Sequence, residues 1–100
     1  MSLTVLETEE LNIPKEGITV VDFYAEWCMP CKAMDPILQN VSEQDINVIK
    51  VNTDKLPKLA AEHQITSLPT MIIYKDGKLI EKKIGAIDQN SLLQKLKALE

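Results

Sequence analysis

One stretch of the chain, residues 18–32, combines a buried strand with the start of a helix; it reads ITVVDFYAEWCMPCK. Residues 18–24 are rich in β-branched and aromatic side chains, which favour a strand. Their nearly continuous apolar character predicts burial on both faces, as in the centre of a mostly parallel sheet. Pro30 suits a first helical turn, where its missing N–H is harmless. We therefore expect a helix from residue 29 or 30 to about residue 43.

Further strands and helices alternate on both sides of this stretch. We expect one helical turn in the acidic connector 7–14, a hairpin turn at Asp76-Gly77 and a helix cap at Asp88. The alternation predicts an α/β fold, a single domain over residues 1–100 with a central mixed sheet of about five strands and helices on both faces. The expected strands are 4–6, 18–24, 47–51, 70–75 and 78–84, and the other helices are 57–63 and 89–99.

Composition excludes several functional classes. The chain has 100 residues, 45% of them hydrophobic, and a net charge of -4. That balance argues against disorder and against a general nucleic-acid binder, which needs clustered Lys and Arg. No segment reaches the roughly 18 consecutive apolar residues of a membrane span. The N-terminus lacks the basic and apolar regions of a secretory signal, so we expect a cytoplasmic protein.

The only cysteines are Cys28 and Cys31. A bridge between them closes a very short loop and constrains the unfolded chain little, so it suits a group that opens and closes. Cys28 lies where helix N–H groups and the helix dipole stabilise a thiolate, the attacking species. Cys31, one turn on, can reach the Cys28 sulfur and should be the more buried. The alternatives are two structural thiols or half of a zinc site, although His63 is the only other soft ligand.

Asp22 is unusual because it interrupts an apolar strand. Burying a carboxylate costs several kcal/mol unless the group is paired or takes up a proton. A raised pKa would suit a proton acceptor for Cys31. Alternatively, Asp22 lies at a strand edge and reaches water or Lys50. Lys50, in the neighbouring strand, either tunes Asp22 or is an ordinary exposed lysine.

Taken together, five stretches resemble the thioredoxin family: 21–32 (VDFYAEWCMPCK), 50–54 (KVNTD), 67–70 (SLPT), 75–77 (KDG) and 84–86 (IGA). The resemblance implies a thioredoxin-like fold and a thiol–disulfide oxidoreductase that reduces protein disulfides. Cys28 would attack and Cys31 would resolve the mixed disulfide, with Asp22 and Lys50 assisting. A separate NADPH-dependent flavoprotein, thioredoxin reductase, would reduce the oxidised protein. No bound cofactor or metal is implied, and we expect a monomer.

The resemblance also implies a substrate-binding surface around the cysteines. It matches Pro69 to a cis-proline opposite them, Leu68 to the position whose backbone pairs with substrate, and Gly85 to a glycine that leaves room beside them. From spacing alone, these residues could equally form a turn and a bulge, and an aromatic such as Trp27 could pack in the core. The implied set is Trp27, Met29, Pro30, Leu68, Pro69 and Gly85.

Two departures from the family pattern bear on function. Met29 stands where the family usually has Gly, and Tyr24 stands where it often has Trp. Residues between the cysteines help to set the reduction potential, so Met29 leaves potential and partner range open. Two rival functions also stay open: a disulfide oxidase or isomerase of the same fold, and a binding subunit that uses the same surface without redox turnover.

Overall fold

The computed structural model describes residues 2–100, which form five strands and three helices. Each expected strand and each of the three expected longer helices is present, with ends within two residues of the expected ones. In chain order they are β1 (Ser2–Val5), β2 (Ile18–Tyr24), α1 (Met29–Ser42), β3 (Ile46–Asn52), α2 (Pro57–Glu62), β4 (Thr70–Lys75), β5 (Lys78–Ile84) and α3 (Gln89–Lys97).

The helical turn expected in residues 7–14 is wrong, because this connector forms no helix. Leu6 just before the connector and Leu11 and Ile13 within it are not at helical spacing, yet all three pack against the apolar cluster on the α2 face of the sheet. The Glu9 carboxylate accepts the backbone N–H groups of Lys58 and Leu59, at 3.1 and 3.0 Å. These long-range contacts favour an extended segment, which crosses the N-terminal end of α2, over a local helical turn.

The strands form one mixed sheet in the order β1-β3-β2-β4-β5. β3 runs parallel to both β1 and β2, whereas β4 is antiparallel to β2 and β5 is antiparallel to β4. β2 is buried along nearly its whole length, as its apolar run predicts. The expected α/β class and mixed five-stranded sheet are therefore confirmed.

Two apolar clusters lie on opposite faces of β2. Val20 packs on the face covered by α1 and α3, whereas Val21 and Phe23 pack on the face covered by α2, so helices flank both faces as expected. The helical members of the first cluster are Met34, Leu38, Val41, Leu92 and Leu96, and Leu59 is the helical member of the second.

Two local signals in the C-terminal half also behave as expected. Asp76 and Gly77 have φ values of 51° and 83°, the left-handed conformations that a tight hairpin turn requires. The Asp88 carboxylate accepts the backbone N–H of Ser91 at 3.1 Å and caps α3. The hairpin turn places β5 at the edge of the sheet, next to β4. Helix α3, which follows, packs on the same face as α1.

Candidate active site

Cys28 and Cys31 form a disulfide where β2 leads into α1, with their Cα atoms 5.2 Å apart. Cys28 is the N-cap of α1, and its sulfur accepts the backbone N–H of Cys31 at 3.3 Å. A helix N-terminus stabilises negative charge, so this position favours a Cys28 thiolate once the bridge opens. Both residues are buried, Cys31 slightly more than Cys28, at 2% and 5% exposed, as expected.

Asp22, on β2, is fully buried. Neither of its carboxylate oxygens has a hydrogen-bond partner among the described residues. Desolvation by burial raises the pKa of Asp22 from 3.8 to about 7; the positive charge of Lys50 lowers it and the negative charge of Asp35 raises it, both more weakly. Asp22 is therefore buried, and it is not a strand-edge residue that reaches water or bonds to Lys50. A carboxyl group with such a pKa can take up and release a proton near neutral pH.

Lys50 neither binds Asp22 nor extends freely into solvent. The two residues are partners in the parallel register of β2 and β3. The Lys50 ammonium instead contacts the Asp35 carboxylate at 2.5 Å and lies 4.4 Å from the centre of the Tyr24 ring. Asp35 was not identified from the sequence, although it follows Cys31 by four residues and so lies on the same side of α1.

An exposed apolar lip, formed by Trp27 and Met29, lies beside the disulfide. Their exposed fractions are 70% and 71%, so core packing of Trp27 is excluded. The Trp27 indole N–H donates a hydrogen bond of 2.9 Å to the Asp54 carboxylate, which holds the ring in place. Pro30 is exposed on the same turn. Asp54 is a second residue that the sequence did not single out.

The opposite side of the site comes from two later segments of the chain. The Leu68–Pro69 peptide bond is cis, as the resemblance implies, and Leu68 packs against the cluster that contains both cysteines. The Gly85 N–H donates a 2.8 Å hydrogen bond to the Pro69 carbonyl oxygen. Gly85 has a φ of 91°, and a Cβ atom added there would meet nothing within 4 Å. Within this chain, backbone conformation rather than lack of room thus favours glycine.

The residues considered for a zinc site are not brought together. His63 lies on the other face of the sheet, where its ring stands 5.4 Å from that of Phe23 and its Nδ1 lies 2.8 Å from the Leu59 carbonyl oxygen. Across residues 2–100, no three His, Cys, Asp or Glu side chains are grouped to hold a metal ion. None of the three helices in that range is long and apolar enough to cross a membrane.

Comparison with known proteins agrees with this geometry. The sequence model of the Thioredoxin family matches residues 4–98, nearly the whole chain. The chain belongs to the thioredoxin family. Its sequence is 49% identical over 80 residues to thioredoxin Y2 of Arabidopsis thaliana chloroplasts, a match that covers 77% of this chain and 48% of that protein. It is 38% identical over 80 residues to the thioredoxin of Chlamydia trachomatis, with 78% of each protein covered.

Solved thioredoxin structures share the fold. A single-site mutant of a thioredoxin from Halobacterium salinarum superposes with a TM-score of 0.87 at 29% identity, over 97% of this chain and 88% of that one. Mitochondrial thioredoxin 3 of Saccharomyces cerevisiae, in its oxidised form, gives 0.75 at 38% identity over 84% and 80%. The family and the fold predicted from the sequence are confirmed.

Family membership and the geometry of the cysteine pair together indicate the chemistry of this thioredoxin domain. A Cys-x-x-Cys pair at disulfide distance, in a domain of this family, is the centre of a thiol–disulfide oxidoreductase. Thioredoxins work with disulfide-containing substrates and with reductases. The chain spans about half the length of its chloroplast relatives, at 48% and 55%, so the activity and partners of the whole protein are taken up below as proposals.

Proposed function

We propose that this protein reduces disulfide bonds of other proteins by dithiol–disulfide exchange. The observation that carries the proposal is the position of Cys28, whose sulfur caps α1 and accepts a helix N–H. This environment favours the thiolate, and thiolates rather than thiols attack disulfides. The reduced dithiol form is the reactive one, and the Cys28–Cys31 disulfide is its product.

The exchange proceeds in two steps. The Cys28 thiolate attacks one sulfur of the substrate disulfide, forms a mixed disulfide and releases the other substrate sulfur as a thiolate. Cys31 then loses its proton, attacks the Cys28 sulfur and releases the second substrate sulfur, which takes up a proton. Two electrons pass to the substrate, and the Cys28–Cys31 disulfide forms.

We assign proton acceptance in the second step to Asp22. Its burial supports this role, because a carboxylate that is desolvated and unpaired is a much stronger base than one in water. The pKa of Asp22, raised to about 7, gives a group that can take up the Cys31 proton at neutral pH and release it afterwards. The positive charge of Lys50 acts in the opposite direction and lowers the pKa of Asp22, and no hydrogen bond joins the two side chains.

Substrate binding is assigned to the surface around the lip. Trp27, Met29 and Pro30 form one side, and the half-buried Leu68, next to the buried Pro69, forms the other. An open surface of this kind suits a segment of another protein better than a small molecule, which usually needs a closed pocket. We assign pairing with that segment to the backbone of Leu68, and Gly85 supports Pro69 through its hydrogen bond.

The electron donor proposed for the oxidised form is an NADPH-dependent flavoprotein, thioredoxin reductase. The protein itself would act as a monomer and without a bound cofactor. A cytoplasmic location stays a prediction; it is supported by the use of both cysteines in the redox pair and of none in a structural staple.

The test is reduction of insulin disulfides with dithiothreitol as the electron source. We expect the wild type to accelerate the reaction and Cys28→Ser to abolish the acceleration. Cys31→Ser should retain substrate proteins as mixed disulfides on Cys28, which mass spectrometry detects. The exposed substitution Asp45→Asn is the matched control and should leave the rate unchanged. Substrate reduction by Cys28→Ser at the wild-type rate would refute the mechanism.

The direction of electron flow needs a separate measurement. Equilibration of the protein with glutathione gives its reduction potential, and a reductase requires a value well below that of strong oxidants. A potential near about -120 mV would contradict the proposed direction and favour the oxidase alternative. Replacing dithiothreitol with NADPH and a flavoprotein thioredoxin reductase tests the proposed donor.

A further inference from the structure

The side chains of Asp22 and Lys50 lie on the same face of the sheet, under α1. They are register partners in neighbouring parallel strands, and the residues two positions earlier, Val20 and Val48, pack in the cluster on that face. Neighbouring strands are only about 4.8 Å apart. A lysine in this position would ordinarily neutralise the buried carboxylate, yet the oxygens of Asp22 have no hydrogen-bond partner among residues 2–100.

The Lys50 ammonium is engaged by other groups. It contacts the Asp35 carboxylate at 2.5 Å and the face of the Tyr24 ring, with 4.4 Å from ammonium to ring centre. The Lys50 side chain is only 12% exposed, whereas the Asp35 side chain is 52% exposed. The ion pair therefore holds the ammonium at the more exposed Asp35, and no hydrogen bond joins it to Asp22.

We propose that Asp35 is a positioning residue of the exchange reaction, which holds the Lys50 ammonium away from Asp22 and so keeps that carboxylate available to the Cys31 proton. The inference rests on the proposed function, which makes Asp22 the proton acceptor. An opposite charge in contact with a carboxylate stabilises its ionised form and weakens it as a base. Asp35 prevents that contact by binding the same ammonium.

Among the described residues, the two charges that act on Asp22 are those of Lys50 and Asp35. β3 contributes Lys50, β2 contributes Tyr24, and the β4 partner of Asp22 in the register is the uncharged Met71. α1 contributes Asp35 together with Cys31. Glu26 and Lys32 line the cleft beside Cys31 as well, but the carboxylate in contact with the Lys50 ammonium is that of Asp35.

Asp35 also lies beside Cys31 at the surface. A cleft of about 80 Å³, large enough for water, opens at the surface beside the disulfide. Both Cys31 and Asp35 line it, and so does Tyr24, whose ring the ammonium covers. Changes at Asp35 thus act next to Cys31 without removing any group that touches the substrate.

The first test is a titration of the Asp22 carboxyl carbon by NMR, with the Cys28–Cys31 disulfide intact. In Asp35→Asn, the freed Lys50 ammonium should approach Asp22, and the proton affinity of Asp22 should fall by about tenfold or more. Asp35→Glu should retain most of the wild-type affinity. Asp45→Asn, which removes an exposed charge elsewhere, should change nothing. An unchanged or increased proton affinity in Asp35→Asn would overturn the proposal.

A double-mutant cycle separates positioning from simple charge repulsion. If Asp35 acts through Lys50, Asp35→Asn should have a much smaller effect on Asp22 when combined with Lys50→Gln than when made alone. Equal effects in both backgrounds would refute positioning and leave only direct repulsion between the two carboxylates.

Kinetics gives an independent readout. In single-turnover resolution of a mixed disulfide, Asp35→Asn should move the acid limb of the pH profile to lower pH and reduce the plateau rate a few-fold, since a weaker base accepts the Cys31 proton less readily. A profile identical to that of the wild type would contradict a role in the reaction. The NMR titration needs no turnover, so it tests Asp35 even if insulin reduction fails and the proposed function is wrong.

Discussion

Replacing Asp22 by Asn should change how the stability of the protein depends on pH. The pKa of Asp22 is about 7 in the folded protein, against 3.8 for an unperturbed carboxyl group. Between these values, the unfolded chain has released the proton while the folded chain retains it. The folded state therefore loses stability as pH rises from about 4 to about 7, and the loss is complete above the folded pKa.

The magnitude follows from the two pKa values. Each pH unit of difference between the folded and unfolded pKa corresponds to about 1.36 kcal/mol. The difference between the unperturbed pKa of 3.8 and the folded pKa of about 7 thus corresponds to about 4 kcal/mol in the free energy of unfolding. This is a large part of the roughly 5–15 kcal/mol that stabilises a typical domain. Asp22→Asn abolishes the titration, so the variant should gain up to about 4 kcal/mol relative to the wild type between pH 4 and pH 8.

Urea unfolding of the disulfide form at pH 4, 5, 6, 7 and 8 measures this difference. The buried amide of the variant adds a constant offset, so the test is the slope of the difference against pH. Asp45→Asn, at an exposed position, controls for the loss of one charge and should show no such slope. A difference between Asp22→Asn and wild type that is constant from pH 4 to pH 8 would refute the raised pKa.

Three further substitutions test other parts of the structure. Glu9→Ala should lower the free energy of unfolding in urea by about 1 kcal/mol, because Glu9 accepts the backbone N–H groups of Lys58 and Leu59. Amide hydrogen exchange at these two residues should become faster, and unchanged exchange would argue against the cap. Gly85→Ala should lower the free energy of unfolding, measured by thermal unfolding, by about 1–2 kcal/mol, because Gly85 has a φ of 91° that alanine adopts only at a cost. An unchanged stability would mean that the backbone relaxes. Met29→Ala should change the free energy of unfolding by less than about 0.5 kcal/mol, because the side chain is exposed. It should raise KM for insulin without changing kcat, whereas an unchanged KM would exclude Met29 from binding.

Local patterns in the sequence are sufficient to predict much of the fold and the reacting cysteine pair. The apolar run 18–24 predicts the buried β2, and Asp76-Gly77 predicts the hairpin because only left-handed residues close such a turn. Cys28 could be placed at a helix N-terminus because Pro30 marks the first turn. Asp22 was recognisable because a lone carboxylate in an apolar strand has to be protonated, paired or exposed.

Contacts between distant segments could not be predicted in this way. Asp54 lies 27 residues beyond Trp27, and no local pattern relates the two side chains that form the hydrogen bond. The contact of Asp35 with Lys50 depends on how α1 is rotated over β3, which helical spacing alone does not determine. Glu9 likewise caps a helix 49 residues later, so an acidic connector was mistaken for a helical turn.

The strand order has a consequence for biosynthesis. β2 is the second strand to be made, yet it lies between β3 and β4 in the finished sheet. Because a ribosome releases the N-terminus first, Cys28 and Cys31 emerge before either strand that flanks β2 exists. Gly85, which supports Pro69, emerges later still. A nascent or truncated chain can therefore carry both thiols without the site that makes them selective, and the complete site forms only when nearly the whole domain has been translated.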